Sequence, residues 1–204
     1  MERLIEGFRR FRGSYYEQHR SRFERLAAGQ RPRCAVVACC DSRVDTTLIF
    51  DAIPGEIFLI RNIANLIPPY RPDARQHSTS AAIEYAVRFL KVGQFVVLGH
   101  AGCGGIHALL NPPAHATDFV ADWLEIAASS RERVLARGAG LPPAERQRAC
   151  ELEALEDSLK NVLTFPWVAE RVEDGTLQVD ALYVDLEQGA LLLYNRRRGV
   201  FEAV

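Results

Sequence analysis

The 204-residue sequence predicts an α/β fold: a mainly parallel central β-sheet with an antiparallel C-terminal edge strand, flanked by helices and preceded by an N-terminal helical arm. Three observations predict it. Residues 35–38, 57–60 and 95–98 are short unbroken apolar runs, the pattern of strands buried on both faces. Residues 78–90 carry Ala81, Ala82, Tyr85, Ala86 and Phe89 at helical spacing and stop before Gly93, as a crossover helix between parallel strands does. Residues 182–186 and 190–194, joined through Glu187-Gln188-Gly189, read as a terminal strand hairpin.

The remaining elements follow in order. Leu4, Phe8, Phe11 and Tyr15 recur at helical spacing and give residues 1–30 as the arm, ahead of a core over residues 31–204. Further helical patterns cover residues 118–137 and 143–163, with a turn-rich stretch over 137–143 between them. No repeat, linker or low-complexity tract divides the chain, so residues 1–204 are expected to form a single domain.

Composition excludes several classes of partner. Lys and Arg (25) nearly balance Asp and Glu (26) for a net charge of -1, which removes the electrostatic case for nucleic acid or a membrane surface. The basic runs Arg9-Arg10-Phe11-Arg12 and Arg196-Arg197-Arg198 read as solvated faces. No signal peptide, acid-poor transit peptide or apolar span is visible, so a cytoplasmic protein is expected. Five cysteines without disulfide spacing are expected to stay reduced. Cys39 and Cys40 are adjacent on an extended segment and point to opposite sides. One is expected to face a metal and the other to pack as a small buried hydrophobe.

The chemistry lies at two strand ends. Cys39-Cys40-Asp41-Ser42-Arg43 closes the first apolar run and His100-Ala101-Gly102-Cys103 closes the third. Cys39, His100 and Cys103 together supply two thiolates and an imidazole, the donors zinc prefers. Three protein ligands leave the fourth position open, as in catalytic zinc sites. Asp41 and Arg43 alternate with Cys39, so Arg43 is placed to clamp the Asp41 carboxylate through two prongs. Gly104 and Gly105 let the backbone fold tightly and offer N–H groups to an anion at a helix start. A structural zinc would need Asp41 as fourth ligand, against the competition of Arg43. His107 is placed as a proton shuttle or as an ordinary surface histidine, and the spacing leaves both open.

At this point the chain resembles the β-class carbonic anhydrases, most closely their plant-type branch. The resemblance rests on Gly29-Gln30-Arg31-Pro32, residues 39–44, Pro54-Gly55-Glu56, and residues 61–70, 80–87, 99–105 and 158–166. It implies Cys39, His100 and Cys103 as ligands of one Zn2+ per subunit and Asp41 and Arg43 as the catalytic dyad. It adds Gln30, Phe58, Ile63, Tyr85 and the Gly104 N–H as the substrate pocket, with the glutamine supplied across a dimer. The implied reaction is reversible hydration of carbon dioxide to bicarbonate and a proton by zinc-bound hydroxide. The implied assembly is a homo-oligomer, a dimer or a dimer-built tetramer. The competing readings are a carbonyl sulfide or carbon disulfide hydrolase and a catalytically silent zinc-binding scaffold. Some bacterial members of the class close by moving the aspartate onto zinc, using a tryptophan and a tyrosine where this chain has Val36 and Val184. An open Asp41–Arg43 pair is therefore expected.

Overall fold

In a computed structural model describing residues 1–73, 75–115, 117–137 and 140–204, the chain forms two compact units, residues 1–31 and 32–204. The amino-terminal unit holds α1 (Glu2–Phe11), a π-type turn (Arg12–Tyr16) and α2 (Arg20–Ala27). Phe23 of α2 packs on Phe11 and Tyr16, with ring centroids 5.6 and 5.0 Å apart. Neither helix buries a residue, and the stripe begun by Leu4 and Phe8 stays exposed within the unit.

The second unit is built on a six-stranded sheet of order β2-β1-β3-β4-β5-β6. Its strands are β1 (Cys34–Cys39), β2 (Ile57–Asn62), β3 (Gln94–His100), β4 (Gln178–Asp185), β5 (Ala190–Asn195) and β6 (Val200–Ala203). The first four are mutually parallel, and β5 and β6 are antiparallel. Both faces of the sheet are covered: Ala35 and Val37 of β1 join one buried cluster, Val36 and Ala38 another. That double burial is why the strands read as unbroken apolar runs. The fold class expected from sequence is the one found. The antiparallel part is larger than the single hairpin, because β6 adds an outer edge.

Helices link the strands: α3 (Thr46–Ile49), α4 (Ser78–Glu84) running into a π-type turn (Tyr85–Phe89), α5 (Gly104–Leu110), α6 (Val120–Leu124), α7 (Ala128–Arg137), α8 (Pro143–Val162) and α9 (Pro166–Glu173). The helix expected over 118–137 is therefore interrupted, by a 3-10 turn at Glu125–Ala127. Of the turn expected over 137–143, Gly138 and Ala139 lie outside the described residues. Among the described residues no helix is long and apolar enough to cross a membrane.

The twenty-residue α8 spans one face, burying Cys150, Glu151, Ala154, Leu155, Ser158, Leu159 and Val162 at helical spacing. Arg133 of α7 ties α8 down through Glu153 at 2.8 Å and Asp157 at 2.7 Å. Burial raises the Asp157 carboxyl pKa, but hydrogen bonds from Ser130 and Arg133 outweigh it and hold the group below its ordinary value. A depressed carboxyl stabilises the fold above its free pKa of about 4 and loses that contribution as pH falls. Asp157→Asn is accordingly expected to flatten the drop in urea midpoint between about pH 5 and pH 3. An unchanged drop would show that this cluster does not govern acid stability.

Candidate metal centre

Strand order sets the position of the site. Since β2 and β3 flank β1 on opposite sides, the chain reverses its winding between β1 and β3, and the crevice of such a sheet opens there at the carboxyl ends of the strands. Cys39 is the last residue of β1 and His100 the last of β3. Two residues further, Gly102 takes a left-handed φ of 67°, which turns the chain so that Cys103 caps α5.

Cys39 Sγ and Cys103 Sγ lie 4.0 Å apart, and the donor atoms of Cys39, His100 and Cys103 all fall within 4.8 Å of one another. Sulfurs each ~2.3 Å from a tetrahedral zinc are ~3.8 Å apart, so the spacing fits that ion. All three residues are buried. His100 Nδ1 donates to the Ala101 carbonyl at 3.0 Å, while Nε2 is buried without a hydrogen-bond partner. An orphaned ring nitrogen beside two thiols is costly unless a cation takes its lone pair. The Cys103–Cys39 contact favours one thiolate in the pair: it lowers the Cys39 pKa and raises that of Cys103. The donor set thus fits a thiophilic divalent ion such as zinc.

Asp41 is turned toward Arg43. Arg43 Nε reaches Asp41 Oδ1 at 3.0 Å and Nη2 reaches Oδ2 at 2.7 Å, and Nη2 also donates to the Gly102 carbonyl at 2.8 Å. The Arg43 hydrogen bonds hold the Asp41 carboxyl well below the usual range despite its partial burial. Asp41 Oδ2 is still only 4.0 Å from His100 Nε2, so the carboxylate faces the donor cluster from the side. Val36 and Val184 pack into an apolar cluster with Val44 and Leu98.

The other sequence-predicted residues are placed as follows. Phe58 of β2 and Tyr85 of the π-type turn are in contact, with centroids 5.9 Å apart. Ile63 lies against Gly105, where an added Cβ would come within 2.9 Å of Ile63 Cγ2 and of Ala64 Cβ. Gly104 begins α5 with open space on its Cα. Gln30 lies exposed in the amino-terminal unit, just beyond α2. His107 is exposed and contacts Gln147 at 3.1 Å. Cys40 corrects an expectation: it is exposed rather than buried, because β1 ends at Cys39 and the chain turns outward there.

Two residues that hold the site together were not singled out from sequence. Arg61 donates to the Cys39 carbonyl at 3.0 Å and to the Asp41 carbonyl at 2.7 Å, fixing the loop that carries both. Glu151, buried on α8, accepts from the Cys103 backbone N–H at 2.8 Å and from the Tyr183 hydroxyl at 2.7 Å. An acid on the apolar stripe of α8 was the available signal.

Gly105→Ala is expected to destabilise the fold by roughly 1–3 kcal/mol, the usual effect of overpacking a closed contact. Denaturant unfolding measures it, and unaltered stability would mean that the turn at Ile63 gives way freely.

A parallel α/β sheet with two sulfurs and one imidazole converging at its winding reversal defines a metalloenzyme scaffold suited to zinc. Comparison with known proteins then specifies the family. The carbonic anhydrase family profile matches residues 34–191. A carbonic anhydrase of Synechococcus elongatus is 38% identical over 198 residues, 96% of this chain and 72% of the relative. One of Synechocystis sp. is 37% identical over 197 residues, 96% of this chain and 71% of the relative. The solved β-carbonic anhydrase CcaA superimposes with a TM-score of 0.94 at 36% identity, covering 100% of this chain and 92% of that one. A solved tetrameric β-carbonic anhydrase of Sordaria macrospora gives a TM-score of 0.86 at 28% identity, covering 99% and 98%. The chain belongs to the β-class carbonic anhydrases, enzymes of carbon dioxide hydration.

Proposed function

We propose that Cys39, His100 and Cys103 hold one zinc ion per subunit and that the chain uses it to interconvert carbon dioxide and bicarbonate. The observation that carries this reading is the convergence of three buried donors within 4.8 Å beside a two-pronged Asp41–Arg43 pair. Zinc bound there supplies a Lewis acid that makes water acidic enough to attack carbon dioxide near neutral pH.

The chain's own groups do the rest. Arg43 keeps Asp41 ionised and holds it beside the donor cluster rather than within it. Asp41, an acceptor only, takes a hydrogen bond from the attacking oxygen and aims its lone pair at the carbon. One carbon–oxygen σ bond forms as a π pair of carbon dioxide moves onto its oxygen, and one proton passes to solvent buffer. The Gly104 N–H and the amide of Gln30 of the partner subunit donate to the bicarbonate oxygens. Phe58, Ile63 and Tyr85 form an apolar wall that admits a linear, weakly polar substrate and excludes competing water.

The glutamine requires a dimer or a dimer-built tetramer. Supporting this, β2 is an edge strand, and Leu59, Ile63, Tyr85 and Phe89 on and beside it are exposed apolar side chains. The Sordaria macrospora relative is tetrameric. We place the enzyme in the cytoplasm, where its thiols stay reduced.

The competing linear substrate is carbonyl sulfide. Assays of bicarbonate formation and of sulfide release on one sample separate the two, with bicarbonate formation expected to dominate. Sulfide release outpacing it would reassign the substrate, and neither activity would favour a silent scaffold.

A further inference from the structure

Ile63, assigned above to the pocket wall, stands on a turn that the backbone does not favour. In the turn Ile63–Asn65, Ala64 (φ 61°) and Asn65 (φ 49°) both occupy the left-handed region, although neither is glycine. Contacts from outside must hold such a conformation. Asn62 Nδ2 donates to the Leu66 carbonyl at 2.9 Å and closes the turn from beneath. Gly105 of α5 packs against Ile63 and Ala64 so closely that no Cβ fits. From α6, 60 residues further along the chain, the Trp123 indole N–H donates to the Ile63 carbonyl at 2.8 Å.

The segment before the turn is anchored separately. Arg61 binds the Cys39 and Asp41 carbonyls, and the Cys40 N–H donates to the Asn62 carbonyl at 2.8 Å. These bonds tie the end of β2 to the metal loop. Loss of the indole bond loosens the backbone from Ile63 onward; Ala64 of the turn packs in one buried cluster with Cys39 and Cys103, so zinc content is read beside the kinetics.

We propose that Trp123 is a positioning residue for the substrate pocket: through the Ile63 carbonyl its indole N–H fixes the left-handed turn and keeps the Ile63 side chain at the wall. This rests on the assignment of Ile63 to that wall. Trp123 touches neither substrate nor metal. Its ring is partly buried and packs against the cluster that holds Ala64, Leu66, Ile106 and Leu124, so the test must keep a ring there and remove only the donor.

Trp123→Phe keeps a ring and removes the donor. The expected result is a fall in kcat/KM for carbon dioxide of about tenfold, carried mainly by KM, with zinc content unchanged. Amide hydrogen exchange at residues 63–66 accelerates, while that of β1 and β3 does not. Ile63→Ala reproduces the KM effect, and the double variant is no worse than Ile63→Ala alone, because both act through one side chain. Additive effects, equal losses of kcat and zinc, unaltered exchange at residues 63–66, or a Trp123→Phe chain that does not fold would each overturn the proposal. An unaltered chain that fails to hydrate carbon dioxide would instead remove the reading beneath it, and exchange at residues 63–66 would still decide whether the indole holds the turn.

Discussion

Replacing Cys103 by alanine is expected to abolish zinc retention and carbon dioxide hydration together. Cys103 Sγ is buried 4.0 Å from Cys39 Sγ, and alanine in its place leaves one sulfur and one imidazole at the site. Two protein donors fall short of the three that catalytic zinc sites keep. The backbone has reason to stay in place, because the Cys103 N–H is held by Glu151 rather than by the thiol. Loss of metal should therefore come without unfolding, read by metal analysis alongside circular dichroism. Glu151→Gln gives the graded counterpart, with zinc affinity about 10–100-fold weaker, the usual effect of removing a partner that orients a ligand. A folded Cys103→Ala chain retaining a full equivalent of zinc would take Cys103 out of the donor set.

Asp41→Asn separates chemistry from metal binding. The amide is nearly isosteric, so the donors of Cys39, His100 and Cys103 remain as they are and zinc should stay bound. The position can no longer act as an acceptor only, and Arg43 is left facing a neutral group. The expected loss in kcat/KM is about a hundredfold or more, the scale of one positioned acid–base group. Because hydrogen bonds from Arg43 depress the Asp41 pKa, the pair forms fully above the free carboxyl value of about 4 and is lost only as pH falls through the depressed one. Activity that fades between pH 8 and pH 6 therefore has its origin elsewhere than in Asp41, and the residual activity of Asp41→Asn should fade over the same range. Full activity in Asp41→Asn would remove the dyad from the mechanism.

Legibility in the sequence tracked how local each signal is. β1 and β3 were readable because helices cover both faces of the sheet and every side chain in the runs is apolar. Cys39, Asp41 and Arg43 stand out by residue type at short spacing, but Asp41 and Arg43 lie beyond β1, where their own hydrogen bonds rather than strand alternation pair them. β6 escaped notice, since Val200, Phe201, Glu202 and Ala203 are each half-exposed or exposed and form a short edge without a buried face. Cys40 was misjudged because alternation was carried one residue past the end of β1. Glu151 and Trp123 act on partners 48 and 60 residues away, at the Cys103 N–H and the Ile63 carbonyl. No periodicity within α8 or α6 encodes those distances. The left-handed backbone at Ala64 was equally hidden, since alanine gives no sign of it and Gly105 and Trp123, which pack on and bind the turn, lie on other elements.

The most direct test is stopped-flow carbon dioxide hydration, with metal analysis on the same purified sample, across pH and before and after chelation. One zinc per chain, activity rising with pH through neutrality, and loss and recovery of activity with removal and return of zinc are expected. A folded chain that hydrates carbon dioxide equally well after its metal has been stripped, or that binds no zinc at all, would contradict the assignment of Cys39, His100 and Cys103.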